Sequence, residues 1–131
     1  MKVLLDTHCV LWMISEPERL GKKAQKLLDN PETELFLSSA SIFEIAVKHS
    51  LGKLSLPAKP EHYLPPKLDR MSVRELAVSA AHAYRVSELP WHHRDPFDRL
   101  IIAQSLAEGM AIVTADEQIF RYKSPHIDAR R

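Results

Sequence analysis

Lys2-Val3-Leu4-Leu5-Asp6-Thr7-His8-Cys9-Val10-Leu11-Trp12-Met13-Ile14 begins as a continuous apolar run, is stopped by one acid, and resumes with a different hydrophobic period. Lys2 to Leu5 reads as a short strand. From Thr7 to Ile14 the apolar Val10, Leu11, Met13 and Ile14 crowd one side of a helix. A strand that passes into a helix through a single carboxylate decides how the rest of the chain is read.

The same alternation recurs. Lys22 to Leu28 carries Ala24, Leu27 and Leu28 on one face of a helix closed by Asn30-Pro31. Glu34 to Leu37 is a second apolar run, and Ser38-Ser39-Ala40-Ser41 offers N-cap hydroxyls to a helix that Gly52 stops. Pro57, Pro60, Pro65 and Pro66 mark a surface excursion with one short helix between Pro60 and Asp69. Ser72 to Leu76 reads as a third strand and Val78 to Ser87 as a helix ended by Pro90. Asp95-Pro96 opens the strongest helix, Phe97 to Glu108, which Gly109 terminates. Met110 to Thr114 is a fourth strand and Asp116 to Tyr122 a short helix. Ser124-Pro125-His126 interrupts the approach to a small last strand at Ile127 to Ala129 and leaves its formation open. The expectation is an α/β fold, a central parallel sheet of four or five short strands flanked by helices.

With 131 residues and 45% hydrophobic content, the chain can bury one sizeable core, so residues 1–131 are expected to form a single domain. A net charge of +1 excludes a heavily basic nucleic-acid coat, although Lys22, Lys23 and Lys26, or Arg94 and Arg99, can form local basic patches. The lone Cys9 suits a reducing cytoplasm, and Asp6 comes too early for a signal-peptide apolar region. No apolar stretch is long enough to span a membrane.

Four acids, Asp6, Glu44, Asp98 and Asp116, follow apolar runs or lie in the first turns of expected helices. Each has a structural alternative. Asp6 can cap the helix at Thr7. Glu44 can pair with Lys48 or complete a Ser41-x-x-Glu44 capping box. Asp95 is the natural N-cap before Pro96, and Asp98 suits the positive end of that helix. Asp116 competes with a Thr114-x-x-Glu117 box in which Thr114 is the cap.

Together the acids say more. In an open parallel sheet, strand C-termini and helix N-termini share one edge, where ligands bind. Asp6, Asp98 and Asp116 belong to that edge, with Glu44 in reach from the second turn of its helix. Clustered carboxylates repel one another unless cations neutralise them, and Mg²⁺ or Mn²⁺ suits an all-oxygen set. Such ions, one or two, can activate water for attack on a phosphodiester.

The segments Leu4-Leu5-Asp6-Thr7-His8, Ser38-Ser39-Ala40-Ser41-Ile42-Phe43-Glu44-Ile45-Ala46 and Ile112-Val113-Thr114-Ala115-Asp116 resemble those of PIN-domain nucleases. His92-His93-Arg94-Asp95-Pro96-Phe97-Asp98-Arg99-Leu100-Ile101-Ile102-Ala103-Gln104 is similar to a signature of VapC-like toxins of bacterial toxin-antitoxin pairs. The resemblance spans nearly the whole chain. It implies a Mg²⁺- or Mn²⁺-dependent endoribonuclease with Asp6, Glu44, Asp98 and Asp116 as the acidic quartet and Asp95 accessory. It also implies 5′-phosphate ends, a homodimer, and a cognate antitoxin whose tail covers the pocket. Thr114 matches a hydroxyl position of the motif, able to orient Asp116 or a water, or simply to cap a helix.

Other residues carry less. His8, Cys9, His92 and His93 lack the paired spacing of a zinc site, so the histidines read as solvent-facing or as supports for other groups. Arg94 and Arg99 can hold RNA phosphates at the pocket mouth or pair with neighbouring acids. Trp12 reads as core or interface. A phospho-acceptor receiver needs an acid after the third strand, where Leu76-Ala77-Val78 has none, and an aspartyl phosphatase needs an acid where His8 stands. A catalytically inactive PIN-like module binding RNA or protein remains the alternative.

Overall fold

The computed structural model describes Met1–Arg131 throughout. Five strands, β1 (Lys2–Leu5), β2 (Glu34–Ser38), β3 (Val73–Leu76), β4 (Ala111–Thr114) and β5 (His126–Asp128), form one sheet in the order β3-β2-β1-β4-β5. Every neighbouring pair is parallel. The helices are α1 (Thr7–Ser15), α2 (Lys22–Asp29), α3 (Ser39–Ser50), α4 (Pro60–Arg70), α5 (Ala80–Arg85), α6 (Pro96–Glu108) and α7 (Glu117–Phe120).

Parallel strands need crossover connections, and the helices that supply them cover both sheet faces. Val3 and Leu5 of β1 pack with Cys9 and Val10 of α1, Leu28 of α2, Ile45 of α3 and Leu64 of α4. Leu4 points into the opposite layer with Ile101, Ile102 and Ala103 of α6 and Ile119 beside them. This two-sided burial explains why β1 is apolar without a break, in contrast to the alternation of a half-exposed strand.

Strand β5 forms despite Pro125. The Pro125 carbonyl accepts from Ile112 N–H at 2.9 Å, so the residue without an N–H enters the sheet as an acceptor. α4 is an eleven-residue helix, longer than the sequence suggested, with Pro60 in its first turn and Pro65 and Pro66 inside. Gly109 ends α6 in the left-handed conformation at φ 65°, where a Cβ would be strained.

In this order, β1 and β4 are neighbours whose crossovers depart in opposite directions along the sheet. Their C-terminal ends therefore flank the crevice where open α/β sheets place ligands. Asp6 follows β1 directly and Asp116 follows β4 with Ala115 between, while Asp6 N–H donates to Val113 O at 3.0 Å and ties the two ends together.

Candidate metal centre

Asp6 occupies the N-cap position of α1, but its side chain makes no capping hydrogen bond. Its carboxylate is 2% exposed and instead accepts from Thr114 Oγ1 at 2.9 Å through Oδ2. Thr114 Oγ1 also accepts from Asp116 N–H at 3.0 Å, so one hydroxyl links the residues after β1 and β4. Burial pushes the Asp6 carboxyl up, opposed by the Thr114 hydrogen bond and reinforced by the charge of Asp116.

Asp116 is itself the N-cap of α7, accepting from Gln118 N–H at 2.8 Å through Oδ1. The cap therefore belongs to Asp116, two residues after the Thr114 expected by the capping-box alternative. At α6 the division of labour is clear. Asp95 Oδ1 caps the helix through Phe97 N–H and Asp98 N–H at 2.9 and 3.1 Å, whereas Asp98 has no capping role. Asp98 Oδ2 lies 3.1 Å from His93 Nε2.

Glu44 is 3% exposed. It accepts from Thr7 Oγ1 at 2.7 Å and from Lys48 Nζ at 2.6 Å. The expected i,i+4 pair with Lys48 is present, yet it leaves Glu44 among the other acids. A late helix start does not occur: Ser38 caps α3 through Ala40 N–H, and Ser41 lies inside the helix with its hydroxyl 2.9 Å from Thr7 Oγ1. The single Thr7 hydrogen goes to the carboxylate, leaving its oxygen to accept from Ser41.

Asp98 shows how closely these groups approach one another electrostatically. Burial, followed by the charges of Asp95, Asp6, Asp116 and Glu44, pushes its carboxyl up to about 8. Lys48, pulled up by its hydrogen bond to Glu44, also feels Asp95 and Asp98. Cys9 adjoins Asp6, but burial pushes its thiol up to about 12, leaving it protonated. A cavity of about 670 Å³ between α3 and α4 contains none of the four acids.

The donors fit a hard divalent cation. Lys48 neutralises Glu44, while Asp98 Oδ1 and Asp116 Oδ2 have no protein hydrogen-bond partner. As the side chains stand, no three of His, Cys, Asp or Glu are grouped to hold an ion.

The two arginines part company. Arg99, expected at the pocket mouth or beside an acid, is 1% exposed and does neither. Its guanidinium donates to the carbonyls of Pro90, Val86 and Leu89 and to Tyr122 Oη, with the Trp91 ring stacked 3.7 Å away. Arg94 is exposed. Thr7 and Tyr122 were not singled out from sequence, and Ser41 was read only as a cap. Thr7, immediately after Asp6, could have been found by asking which donor serves Glu44.

A model of the PIN domain matches residues 3–124. Ribonuclease VapC22 of Mycobacterium tuberculosis is 29% identical over 124 residues, covering 94% of this chain and 93% of that protein. Among solved structures, VapBC-1 from nontypeable Haemophilus influenzae aligns with a TM-score of 0.72 at 15% identity over 100% of both chains. VapBC2 from Rickettsia felis, bound to a DNA fragment from its promoter, aligns at 0.69 and 20% identity over 98% of both. The five-stranded parallel sheet, the carboxylates at its switch point and a match over nearly the full length make this chain a member of the PIN domain family.

Proposed function

We propose that this protein is a Mg²⁺- or Mn²⁺-dependent endoribonuclease, the toxin of a toxin-antitoxin pair, acting through Asp6, Glu44, Asp98 and Asp116. The observation that carries the reading is Asp98, a buried carboxyl crowded by four other acids and free at one oxygen. Such crowding opposes folding unless a cation compensates it. The relative named as a ribonuclease supplies the substrate class.

When bound, one or two divalent ions would polarise the phosphodiester and lower the pKa of the attacking water. The chain's part is to fix the ligands. Thr114 orients Asp6, Thr7 and Lys48 hold Glu44, and Asp95 anchors the helix start that presents Asp98. In the hydrolysis, water attacks phosphorus and the bond to the 3′ oxygen breaks, giving a 5′-phosphate and a 3′-hydroxyl. Thr114 and Asp95 are therefore accessory, and exposed Arg94 is available to an RNA phosphate.

We read residues 1–131 as one nuclease domain acting in the cytoplasm. No helix is long and apolar enough to cross a membrane. The VapBC complexes among the structural neighbours support an antitoxin partner. A homodimer is supported by the apolar surface around Phe43, 61% exposed, whose ring meets Phe97 edge-on at 5.8 Å.

RNA cleavage by the purified wild type should stop in EDTA and return with Mn²⁺, and Asp6→Asn or Asp98→Asn should abolish it in folded protein. Robust cleavage in excess EDTA would sink the mechanism. Folded wild type that never cuts RNA would instead support the inactive binding module. Sequencing RNA ends after controlled expression would identify the cut site and test for the 5′-phosphate.

A further inference from the structure

We infer that His93 is a positioning residue for Asp98, with its ring orientation and tautomer set by buried Arg99 through the Tyr122 hydroxyl. The inference rests on the assignment of Asp98 to the metal site. Three contacts run in series: Arg99 Nη1 to Tyr122 Oη at 3.0 Å, Tyr122 Oη to His93 Nδ1 at 2.8 Å, and His93 Nε2 to Asp98 Oδ2 at 3.1 Å.

Donor and acceptor accounting gives this chain a direction. A guanidinium can only donate, so Tyr122 Oη accepts from Arg99. The one tyrosine hydrogen then needs an acceptor, and its choices are His93 Nδ1 at 2.8 Å or the His93 carbonyl at 3.5 Å. The shorter contact assigns Nδ1 as acceptor. The neutral ring therefore carries its hydrogen on Nε2 and donates to Asp98 Oδ2, leaving Asp98 Oδ1 for a ligand.

The chain is anchored from behind. Arg99 is 1% exposed, Tyr122 is 3% exposed, and the guanidinium is pinned by the carbonyls of Pro90, Val86 and Leu89. These carbonyls belong to the segment between α5 and α6, so the same arginine shapes the loop that carries His93. The His93 ring packs edge-on against Tyr122, with centroids 5.4 Å apart, which limits rotation. Asp98 is thereby held by a hydrogen-bond chain of fixed polarity that begins at a permanent buried charge.

The test combines ¹⁵N NMR of the histidine rings in metal-free full-length protein with Mn²⁺ titration. In wild type at mildly alkaline pH, His93 should show hydrogen on Nε2 and an acceptor-type Nδ1, and Tyr122→Phe should shift the Nδ1 resonance by removing its donor. A hydrogen on Nδ1 in wild type, or an unchanged Nδ1 resonance in Tyr122→Phe, would overturn the inference. For the second arm, His93→Gln can accept from Tyr122 and donate to Asp98, whereas His93→Leu can do neither. His93→Gln should retain Mn²⁺ affinity within about threefold and His93→Leu should lose about 10- to 100-fold, the usual effect of removing a group that orients a ligand. Equal affinities in the two folded variants would show that His93 does not position Asp98. Wild type that takes up no Mn²⁺ would overturn the metal assignment, while the metal-free ring resonances decide the relay independently.

Discussion

Raising the pH in chelator should destabilise this protein, because Asp98 must release a proton into an already acidic cluster. Its carboxyl is pushed from 3.8 up to about 8, by burial first and then by Asp95, Asp6, Asp116 and Glu44. The folded chain therefore retains a proton that the unfolded chain has released. This contribution to stability is fully present below the unfolded value of 3.8 and is lost as pH rises through about 8. Between about pH 5.5 and about pH 8.5 the linkage relation gives a loss of about 3 kcal/mol, to order of magnitude. That is a large share of the ~5–15 kcal/mol that holds a typical domain together.

Urea denaturation in EDTA across that range measures the effect, and Asp98→Asn isolates it. Asparagine keeps an oxygen for His93 without the charge, so the variant should lack this part of the decline and be the more stable protein at the alkaline end. Asp6 is raised in the same direction and leaves a residual slope of the same sign in both proteins. Asp128, lowered to about 2 by Arg130, completes its change well below this window. Saturating Mn²⁺ should offset the decline, since an ion at ~100 times its Kd adds about 2.7 kcal/mol. A difference between wild type and Asp98→Asn that stays flat, or grows toward acid pH, would refute the electrostatic account of the cluster.

Three further outcomes follow from particular contacts. Thr114→Val leaves Asp6 Oδ2 without its 2.9 Å donor and should weaken Mn²⁺ binding by about 10- to 100-fold in calorimetry. Arg99→Met orphans the buried carbonyls of Pro90, Val86 and Leu89 and the Tyr122 hydroxyl, and should cost roughly 3–5 kcal/mol in chemical denaturation; a loss below 1 kcal/mol would show that the arginine anchors nothing. Gly21→Ala places a Cβ onto the backbone of Arg131 and should cost about 1–3 kcal/mol, with deletion of Arg131 recovering part of the loss in thermal melts.

The readable parts of this molecule are those whose cause is local. Lys2–Leu5 announces a strand because it is buried on both faces, and Asp95-Pro96 announces a helix start because the cap and the fixed φ of proline act on adjacent residues. Asp6 and Asp116 were visible as a pair for the same reason: each follows a strand, and parallel strands bring such positions to one edge. Local rules also assigned the cap to Asp95, and Oδ1 of Asp95 does accept from two backbone donors. They could not show that Asp98 faces His93, which arrives from a loop without hydrophobic period. Arg99 was misplaced on similar grounds. On a bare helix it resembles a surface charge beside acids, whereas its partners Val86, Leu89 and Pro90 come from the preceding connection and Tyr122 from beyond β4. A buried guanidinium needs several acceptors, and no spacing within α6 can reveal acceptors supplied by other segments. The sequence therefore exposed the candidate ligands more readily than the supports, because βα geometry gathers the acids while tertiary packing alone selects what holds them still.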